Sequence, residues 1–482
     1  MSDRGALNLI DGEVVVPALT LGRLEDPSTG TPAGEMRSTH AGDVERALDA
    51  ADRAWGHGDG AFSTRGIGDR LAALRRLGDA LDERADDFAH LHARETGIPI
   101  AVSRLFAAGL GGIARGVAQL APPVVAGRRL DAGPRRVEAL RLPWGPAALY
   151  AAWNAAAFLA TTKLSYAIAA GCPAILKPSE YAPATTGLLV EALQAAELGW
   201  GAVQVVCGGA EVGAALAADR RVRMISYTGG TAGGRAVAAA SIGRMAALQL
   251  ELSASNPAIV APRADLQEAA EELARGALVL NGQWCEAPRR VFVHRADHDE
   301  LVARILGELG RGRIGPALED STDIGPLAHR THRDSVAQDV ERLGQIGEVA
   351  RSHDQLPPEG LFLSPTVVAG LPTGAVRGEI FGPVLAVSPY AGLEEALQAA
   401  NALDDGLAGY VFASDPDEAF GIGLRLHAGE VRLGGVRVLD LADGSAQSFW
   451  GTSGTGGHGR ASVLAAHLGT RIVGEEDRSL AL

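Results

Sequence analysis

Short apolar segments alternate with segments of helical length along most of the chain. The strand-length segments form two series, at residues 147–152, 174–176, 203–206 and 224–227, and then at 258–260, 290–294 and 383–387. Such alternation is typical of parallel sheets whose strands are joined by crossover helices. The first series predicts a Rossmann-like domain, which binds nucleotides at the carboxyl ends of its strands. The second series predicts another α/β domain.

The remaining segments predict helices and a small arm. Residues 44–55 and 69–95 have apolar side chains spaced three and four apart, which predicts amphipathic helices. Residues 128–142 have a turn at Gly133-Pro134 followed by alternating polarity, which predicts a hairpin. Such an arm often joins subunits, so a homodimer or homotetramer is expected.

Net charge and cysteine content restrict the partners and the compartment. The chain of 482 residues has a formal net charge of -14, which argues against nucleic acid and against anionic membranes as partners. Its three cysteines form neither a disulfide framework nor a zinc pattern, so we expect no metal and a cytoplasmic location. The uncharged run at residues 142–162 is broken by Pro143, Pro146 and Asn154, which favours a buried strand and helix over a membrane span.

Cys285 is the candidate nucleophile. It lies in the polar, glycine-containing segment 281–287, directly after the apolar run 277–280. A cysteine acts as a nucleophile only as an accessible thiolate, which a loop provides better than a core. Cys172 and Cys207 have apolar neighbours, where a cysteine is usually a small buried side chain.

Glu251 ends a second apolar run, at residues 246–250, and so lies at the end of a predicted strand. A carboxylate in this position can act as a general base, a role that contributes roughly 10² to 10⁴ in rate. Judged from the residues alone, such a glutamate more often caps a helix or forms an ion pair.

Lys163 and Lys177 are the only lysines among 44 basic residues. Every other cation is arginine, so these two positions favour a compact ammonium group that can shift its pKa, relay a proton or donate to a sugar hydroxyl. The alternative is that an arginine-rich composition left two lysines by chance.

Six motifs, in order along nearly the whole chain, resemble those of the aldehyde dehydrogenase family. They are Ala152-Trp153-Asn154, Lys177-Pro178-Ser179-Glu180, Tyr227-Thr228-Gly229-Gly230-Thr231, Glu251-Leu252, Gly282-Gln283-Trp284-Cys285 and Glu379-Ile380-Phe381-Gly382-Pro383. One glycine loop would be weak support, whereas six motifs in order are specific. The resemblance implies a non-acylating oxidoreductase that converts an aldehyde to the carboxylic acid with NAD(P)+.

The resemblance also implies the catalytic residues. Cys285 would attack the aldehyde to form a thiohemiacetal, and the Asn154 side-chain amide and the Cys285 backbone N–H would hold the oxyanion. Hydride transfer would then leave a thioester. Glu251 would activate the water that hydrolyses it, and Lys163 would lie in the proton path behind Glu251.

For the cofactor, the resemblance implies NAD, with NADP possible. Lys177 and Glu180 would hold the adenosine ribose, where a carboxylate disfavours a 2′-phosphate. Glu379 and Phe381 would lie at the nicotinamide end. The further cofactor-binding residues that the resemblance implies are Trp153, Ser179, Thr228, Gly229, Gly230, Thr231 and Leu252.

Together, the strand series and the resemblance predict three units. An NAD-binding domain comprises residues 1–123 and 143–250, and a catalytic domain comprises residues 251–448. A β oligomerisation arm comprises residues 124–142 and 466–482. The predicted fold class is therefore α/β, with a Rossmann-like cofactor domain, an α/β catalytic domain and a small β arm.

Several positions depart from the family pattern. Ser253 and Ala254 replace two glycines and would crowd the backbone beside the nicotinamide, and Ala461 stands where glutamate is common. Two alternatives follow: a CoA-acylating enzyme, against which Glu251 argues, and a binding or structural relative that has lost turnover. The substrate stays open, because Trp284 suits an apolar or aromatic aldehyde and the adjacent Glu286 suits a cationic one.

Overall fold

Two largely parallel sheets, one from each predicted series of strands, form the framework of the molecule. The computed structural model describes residues 5–199, 201–442 and 444–477. The α-helices in these ranges are α1 (Ala41–Trp55), α2 (Ile67–Asp82), α3 (Ala85–Thr96), α4 (Ile100–Val125), α5 (Ala156–Ala170), α6 (Pro183–Ala195), α7 (Ala210–Ala218), α8 (Thr231–Ile242), α9 (Leu266–Leu278), α10 (His298–Leu309), α11 (Arg330–Gly344), α12 (Leu393–Ala400), α13 (Pro416–Gly423) and α14 (Arg460–Ala466).

The strands in the described ranges include one at each of the seven segments that the two series predict. They are β1 (Asn8–Ile10), β2 (Glu13–Val15), β3 (Leu19–Glu25), β4 (Pro32–Ser38), β5 (Arg128–Arg129), β6 (Val137–Pro143), β7 (Ala147–Tyr150), β8 (Ala174–Lys177), β9 (Val203–Val205), β10 (Met224–Thr228), β11 (Ala247–Glu251), β12 (Pro257–Val260), β13 (Arg290–His294), β14 (Glu348–Arg351), β15 (Thr366–Ala369), β16 (Val384–Tyr390), β17 (Asp405–Gly406), β18 (Ala408–Phe412), β19 (Glu430–Leu433), β20 (Trp450–Gly451), β21 (Gly454–Thr455) and β22 (Leu468–Gly474).

The first sheet has the strand order β2-β1-β9-β8-β7-β10-β11-β21. Its central strands β9, β8, β7, β10 and β11 are parallel, and β1 and β21 join the two sides antiparallel. Strand order reverses between β7 and β10, and the crevice outside the carboxyl ends at such a reversal is where open α/β sheets bind ligands. The predicted Rossmann-like fold is confirmed.

The second sheet has the order β14-β15-β16-β13-β12-β18-β19, and its strands are parallel except for β14. A third, three-stranded sheet forms the arm, in which β6 pairs antiparallel with β5 and β22. The predicted hairpin is thus present, and the tail adds a strand to it. Residues 1–4 and 478–482 of the predicted units lie outside the described residues.

One helix among the described residues, α4, is long and apolar enough to cross a membrane by length and composition alone. In the structure it packs against α2, α3 and α5. Its buried face includes Ala107, Leu110 and Ala114. The uncharged run at 142–162 forms the buried strand β7 and the first part of α5, which is also largely buried.

Candidate active site

The predicted site residues converge on one edge of the first sheet. β7 leads into Trp153 and Asn154, β8 ends at Lys177, β10 at Thr228 and β11 at Glu251. Because these strands are parallel, their carboxyl ends share an edge. The nucleophile loop approaches that edge from the second sheet, directly before β13.

Cys285 and Glu251 face each other across the two sheets. The Cys285 Sγ lies 3.4 Å from Oε1 of Glu251, and the Thr228 hydroxyl donates to Oε2 of Glu251 at 3.3 Å. Burial, and then the charges of Glu251, Glu286 and Glu379, raise the pKa of the Cys285 thiol well above its usual value. The thiol is therefore protonated at neutral pH, with a carboxylate positioned to take its proton.

The chain turns sharply just before the nucleophile. Leu280 and Asn281 both adopt the left-handed conformation, with φ of 51° and 57°. Each such non-glycine residue costs on the order of 1–3 kcal/mol. Hydrogen bonds of the buried Asn281 amide offset this strain, because it donates to the carbonyls of Gly97 (2.8 Å) and Pro326 (3.0 Å) and accepts from the Gly325 N–H (3.1 Å).

Arg289 ties the nucleophile loop to the segment that carries Glu379. Its buried guanidinium donates to the carbonyls of Gly382 (2.6 Å), Gly282 (2.5 Å) and Trp284 (3.1 Å). Burial lowers its pKa to about 10. No motif in the sequence points to this residue, and an arginine beside an apolar strand is its only signal.

The Asn154 amide lies against the same loop. Its Nδ2 donates to the Gln283 carbonyl at 2.9 Å, and because a primary amide carries two N–H groups, one donor remains. The backbone carbonyl of Asn154 lies 3.1 Å from Nε2 of buried His92, whose Nδ1 is 3.1 Å from the Ser103 hydroxyl. Burial lowers the His92 pKa, so this support is a neutral imidazole.

Asn256 holds the other side of the nucleophile. Its Nδ2 donates to the carbonyls of Cys285 (2.8 Å) and Ala287 (2.9 Å), and its Oδ1 accepts from the Ala408 N–H at 3.1 Å. Sequence reasoning did not assign a role to Asn256 or to His92. A buried polar residue of this kind forms no recognisable pattern until its partners are brought together.

Lys163 lies behind Glu251 on α5. Its Nζ donates to the Ser226 hydroxyl at 2.7 Å. That hydroxyl donates to Oε1 of Gln249 at 2.6 Å, and the Gln249 amide donates to the Gly457 carbonyl at 3.3 Å. Burial lowers the Lys163 pKa to about 8, with the Glu251 charge acting in the opposite direction. This lysine can therefore change charge near neutral pH.

The predicted ribose end of the cofactor site lies where β8 ends. The Lys177 Nζ is 3.3 Å from Oε2 of Glu180, so the two side chains meet as an ion pair at the rim. Buried Ser179 accepts from the Tyr181 N–H at 3.3 Å and shapes the turn between them. An ammonium group and a carboxylate in this arrangement match the donors and acceptors of a ribose diol.

The N-terminus of α8 fits a phosphate group. The helix starts after Gly230 with no side-chain cap and no acidic residue in its first turn, and the space at the Gly230 Cα is open. Unpaired N–H groups and the helix dipole favour an anion there. Gly229 leaves no room for a side chain, because a Cβ would lie 2.7 Å from the Tyr227 hydroxyl. Leu252 is buried and packs against α8.

Aromatic rings line the predicted nicotinamide side. The Trp153 ring centroid lies 5.8 Å from that of Phe381 and 5.2 Å from that of His332, and Tyr181 stacks on His329 at 4.0 Å. Burial lowers the pKa of both histidines to about 4. The wall is therefore uncharged at neutral pH.

Glu379 offers an unpaired acceptor beside this wall. Its Oε1 is buried without a hydrogen-bond partner among the described residues. Burial raises its pKa, and the nearby Ser253 hydroxyl and Ala254 N–H act in the opposite direction. An orphaned acceptor fits a ribose hydroxyl, so the residues present fit the nicotinamide end of NAD. The Ser253 side chain, expected to crowd the cofactor, is close enough to this carboxylate to act on its pKa.

The substrate side combines an aromatic ring with a carboxylate. Phe449 is buried in one apolar cluster with Ala254 and Leu407, and Cys285 packs against that cluster. Glu286 is half-buried and accepts from Nε2 of Gln447 at 3.4 Å, and burial raises its pKa. Glu286 is therefore turned towards the protein rather than out to solvent.

The other two cysteines lie in different surroundings. Cys172 and Cys207 are buried, and burial raises their pKa values to about 11 and about 12. Each thiol donates at 3.4 Å to a backbone carbonyl, that of His467 or of Leu7, rather than to a carboxylate. No group of three or more His, Cys, Asp or Glu side chains in the described ranges is arranged to hold a metal ion.

Comparisons with known proteins give a consistent result. The model of the aldehyde dehydrogenase family matches residues 20–473. A 4-(hydroxymethyl)benzenesulfonate dehydrogenase of Comamonas testosteroni is 32% identical over 420 residues, which cover 86% of this chain and 87% of that protein. The geranial dehydrogenase of Castellaniella defragrans is 31% identical over 440 residues, which cover 88% of this chain and 90% of that protein. A betaine aldehyde dehydrogenase mutant of Staphylococcus aureus, in complex with NAD+, has a TM-score of 0.90 at 25% identity over 98% of each chain.

Proposed function

The chain belongs to the aldehyde dehydrogenase family and is an enzyme that oxidises an aldehyde with NAD+, and from this premise we propose which residues perform each step. Cys285 is the nucleophile and Glu251 is the general base. The observation that carries this assignment is the 3.4 Å distance between the Cys285 Sγ and Oε1 of Glu251.

In the first step, Glu251 takes the thiol proton as the Cys285 sulfur bonds to the aldehyde carbon. The carbonyl oxygen becomes an oxyanion. It accepts hydrogen bonds from the free N–H of the Asn154 amide and from the backbone N–H of Cys285. A donor of this kind typically contributes about 10² to 10³ in rate. The product is a thiohemiacetal on Cys285.

NAD+, when bound, would supply the hydride acceptor for oxidation of the thiohemiacetal to a thioester. Lys177 and Glu180 would hold its adenosine ribose, and the N-terminus of α8 at Gly230 would hold its phosphates. Glu379 and Phe381 would hold its nicotinamide end. The further residues that we assign to its binding are Trp153, Ser179, Thr228, Gly229, Thr231 and Leu252.

In the second step, Glu251 deprotonates the water that attacks the thioester carbon. The carbon–sulfur bond breaks, which releases the carboxylic acid and restores Cys285. Lys163 lies behind Glu251 in the proton path, where its low pKa lets it respond to the charge of Glu251.

Two variants test this assignment. We expect no NADH from Cys285→Ala, because no covalent adduct forms. Glu251→Gln forms NADH in a burst that is slower than in the wild type, because the thiol has to lose its proton to water instead of to the carboxylate. The burst ends at no more than one equivalent per site, because the thioester persists. Stopped-flow absorbance at 340 nm distinguishes the two, and Cys172→Ala serves as a matched cysteine control. Sustained wild-type turnover in either variant contradicts the assignment.

The substrate that we propose is an apolar aldehyde, because Phe449 packs in the cluster that Cys285 contacts. The geranial dehydrogenase, a relative with an apolar substrate in its name, agrees with this choice. A panel of apolar, aromatic and cationic aldehydes tests it. Free acid as the product supports the hydrolytic reaction, and acyl-CoA formed in the presence of CoA would support the acylating alternative.

We also propose the units and the setting in which the enzyme works. The NAD-binding domain is residues 1–123 and 143–250, the catalytic domain 251–448, and the arm 124–142 and 466–482, which joins subunits into a homodimer or homotetramer. The three cysteines are free thiols in the structure, which supports a cytoplasmic location.

A further inference from the structure

Glu251 has to lose a proton between its two tasks. In the proposed function, on which this inference rests, Glu251 first takes the thiol proton and then has to be a carboxylate again before it can deprotonate water. The intervening proton therefore needs a route from a buried carboxylate to solvent.

The hydrogen bonds on the inner side of Glu251 do not supply that route. Lys163 donates to Ser226 and Ser226 donates to Gln249, so the chain of donors ends on a glutamine amide. Such an amide does not exchange a proton with its partners at neutral pH. Lys163 can therefore exchange a proton with Glu251, but this chain does not carry that proton on to solvent.

His458 lies on the outer side of Glu251. Its Nδ1 is 4.0 Å from Oε2 of Glu251, and its side chain is 46% exposed, so the ring is near the base and accessible to solvent. Catalytic hydrogen bonds are often long in this way before substrate binds.

The backbone of His458 is fixed on both sides. Its N–H donates to the Gln447 carbonyl at 2.7 Å and its own carbonyl accepts from the Gln447 N–H at 3.1 Å. The preceding carbonyl, that of Gly457, accepts from the Gln249 amide at 3.3 Å. The Phe449 ring packs edge-on at a centroid distance of 6.3 Å. The imidazole is thus held at this site rather than on a free loop.

Three carboxylates on different elements lie within electrostatic reach of the His458 ring. Glu251 ends β11, Glu286 follows the nucleophile, and Glu430 begins β19, where Arg432 pairs with it. The charge of His458 acts on both Glu286 and Glu430. Of the three, Glu251 is the one whose oxygen lies at 4.0 Å from the ring.

We propose that His458 takes the proton from Glu251 and releases it to solvent between the two chemical steps. The O–H bond of the Glu251 carboxylic acid breaks, an N–H bond forms at Nδ1 of His458, and Nε2 of the imidazolium gives its proton to water. No electron is transferred. His458 acts through Glu251 and is a positioning residue that does not touch the substrate.

The test compares three variants of the full enzyme at saturating NAD+ and aldehyde. His458→Ala removes the relay, and His458→Arg keeps a positive charge but cannot release a proton. We expect both to keep the first burst of NADH and to turn over about 10-fold more slowly afterwards. This is less than the roughly 10² to 10⁴ of a direct general base because water partly replaces the ring. Added imidazole restores turnover in His458→Ala, and it does not accelerate the wild type or the distant control His90→Ala.

Two results overturn the inference. One is wild-type turnover in His458→Arg, which would mean that only charge matters at this position. The other is a slow His458→Ala enzyme that imidazole does not rescue at any pH between 6 and 9, which would mean a structural role. The first burst of NADH distinguishes this inference from the proposed function. A wild type that forms no NADH at all would refute the proposed roles of Cys285 and Glu251 rather than that of His458.

Discussion

At the scale of single residues, the site places a thiol among carboxylates. Burial and the charges of Glu251, Glu286 and Glu379 all favour the neutral thiol of Cys285. In the proposed mechanism, Cys285 is therefore protonated until Glu251 takes its proton, which couples formation of the thiolate to attack on the substrate.

Removing one of these charges has a measurable effect on the thiol. Glu286→Gln lowers the pKa of Cys285, so we expect iodoacetamide to alkylate Cys285 severalfold faster than in the wild type. The difference between the two alkylation rates increases with pH. Because burial raises the pKa of Glu286, this side chain carries more negative charge at higher pH, and the substitution then removes more charge. Mass spectrometry of the alkylated peptide gives the rate.

The exposed Glu359→Gln is the matched control and leaves the rate unchanged. An alkylation rate in Glu286→Gln that equals or falls below that of the wild type would show that the charge of Glu286 does not act on the sulfur.

The sequence points to the residues to which we assign the reaction, but not to those that support them. Cys285 could be chosen from its polar segment after an apolar run, whereas Glu251 could be chosen only through the resemblance to the family. His92, Asn256 and Arg289 act through backbone carbonyls that are distant along the chain, so no local pattern points to them.

At the scale of elements, the strand ends set the geometry. The alternation of apolar segments was sufficient to predict strands β7 to β10 of the first sheet and β12, β13 and β16 of the second, because burial on both faces makes each strand a continuous apolar run. The remaining strands of the two sheets were not in the predicted series. The left-handed turn at Leu280 and Asn281 was not predictable, because neither residue is a glycine and only the tertiary contacts of Asn281 compensate for the strain.

This turn can be tested through Asn281→Ala. The substitution leaves two buried carbonyls and one buried N–H without partners, each costing about 1–3 kcal/mol. We expect the free energy of unfolding to fall by at least about 3 kcal/mol in urea, with turnover reduced at temperatures where the variant is folded. Exposed Gln345→Ala should change stability by less than about 0.5 kcal/mol. An Asn281→Ala enzyme as stable as the wild type would show that the amide does not hold the turn.

At the scale of the whole molecule, the arm exposes apolar residues that a second subunit can cover. Ile472 and Val473 on β22 are 56% and 53% exposed. The sequence predicted the hairpin from its turn and alternation, but the pairing of β22 with β6 joins segments more than 300 residues apart and has no local signal.

The role of the arm predicts a change in mass on substitution. Ile472→Glu adds a charge to the exposed apolar strand, so we expect analytical ultracentrifugation to show an oligomer for the wild type and a shift towards the monomer for the variant. Arg471→Glu, at the neighbouring position of the same strand, tests whether the effect is one of hydrophobicity rather than of charge. A wild type that sediments as a monomer would remove the proposed role of the arm.

The most direct test of the central assignment is the mass of the trapped intermediate. Glu251→Gln is mixed with NAD+ and an aldehyde that the wild type oxidises, quenched in acid after the NADH burst, and digested with trypsin. The account predicts that the peptide of residues 276–289 carries the acyl group on Cys285, in an amount equal to the NADH formed. NADH with this peptide unmodified, or an acyl group on another residue, would contradict it.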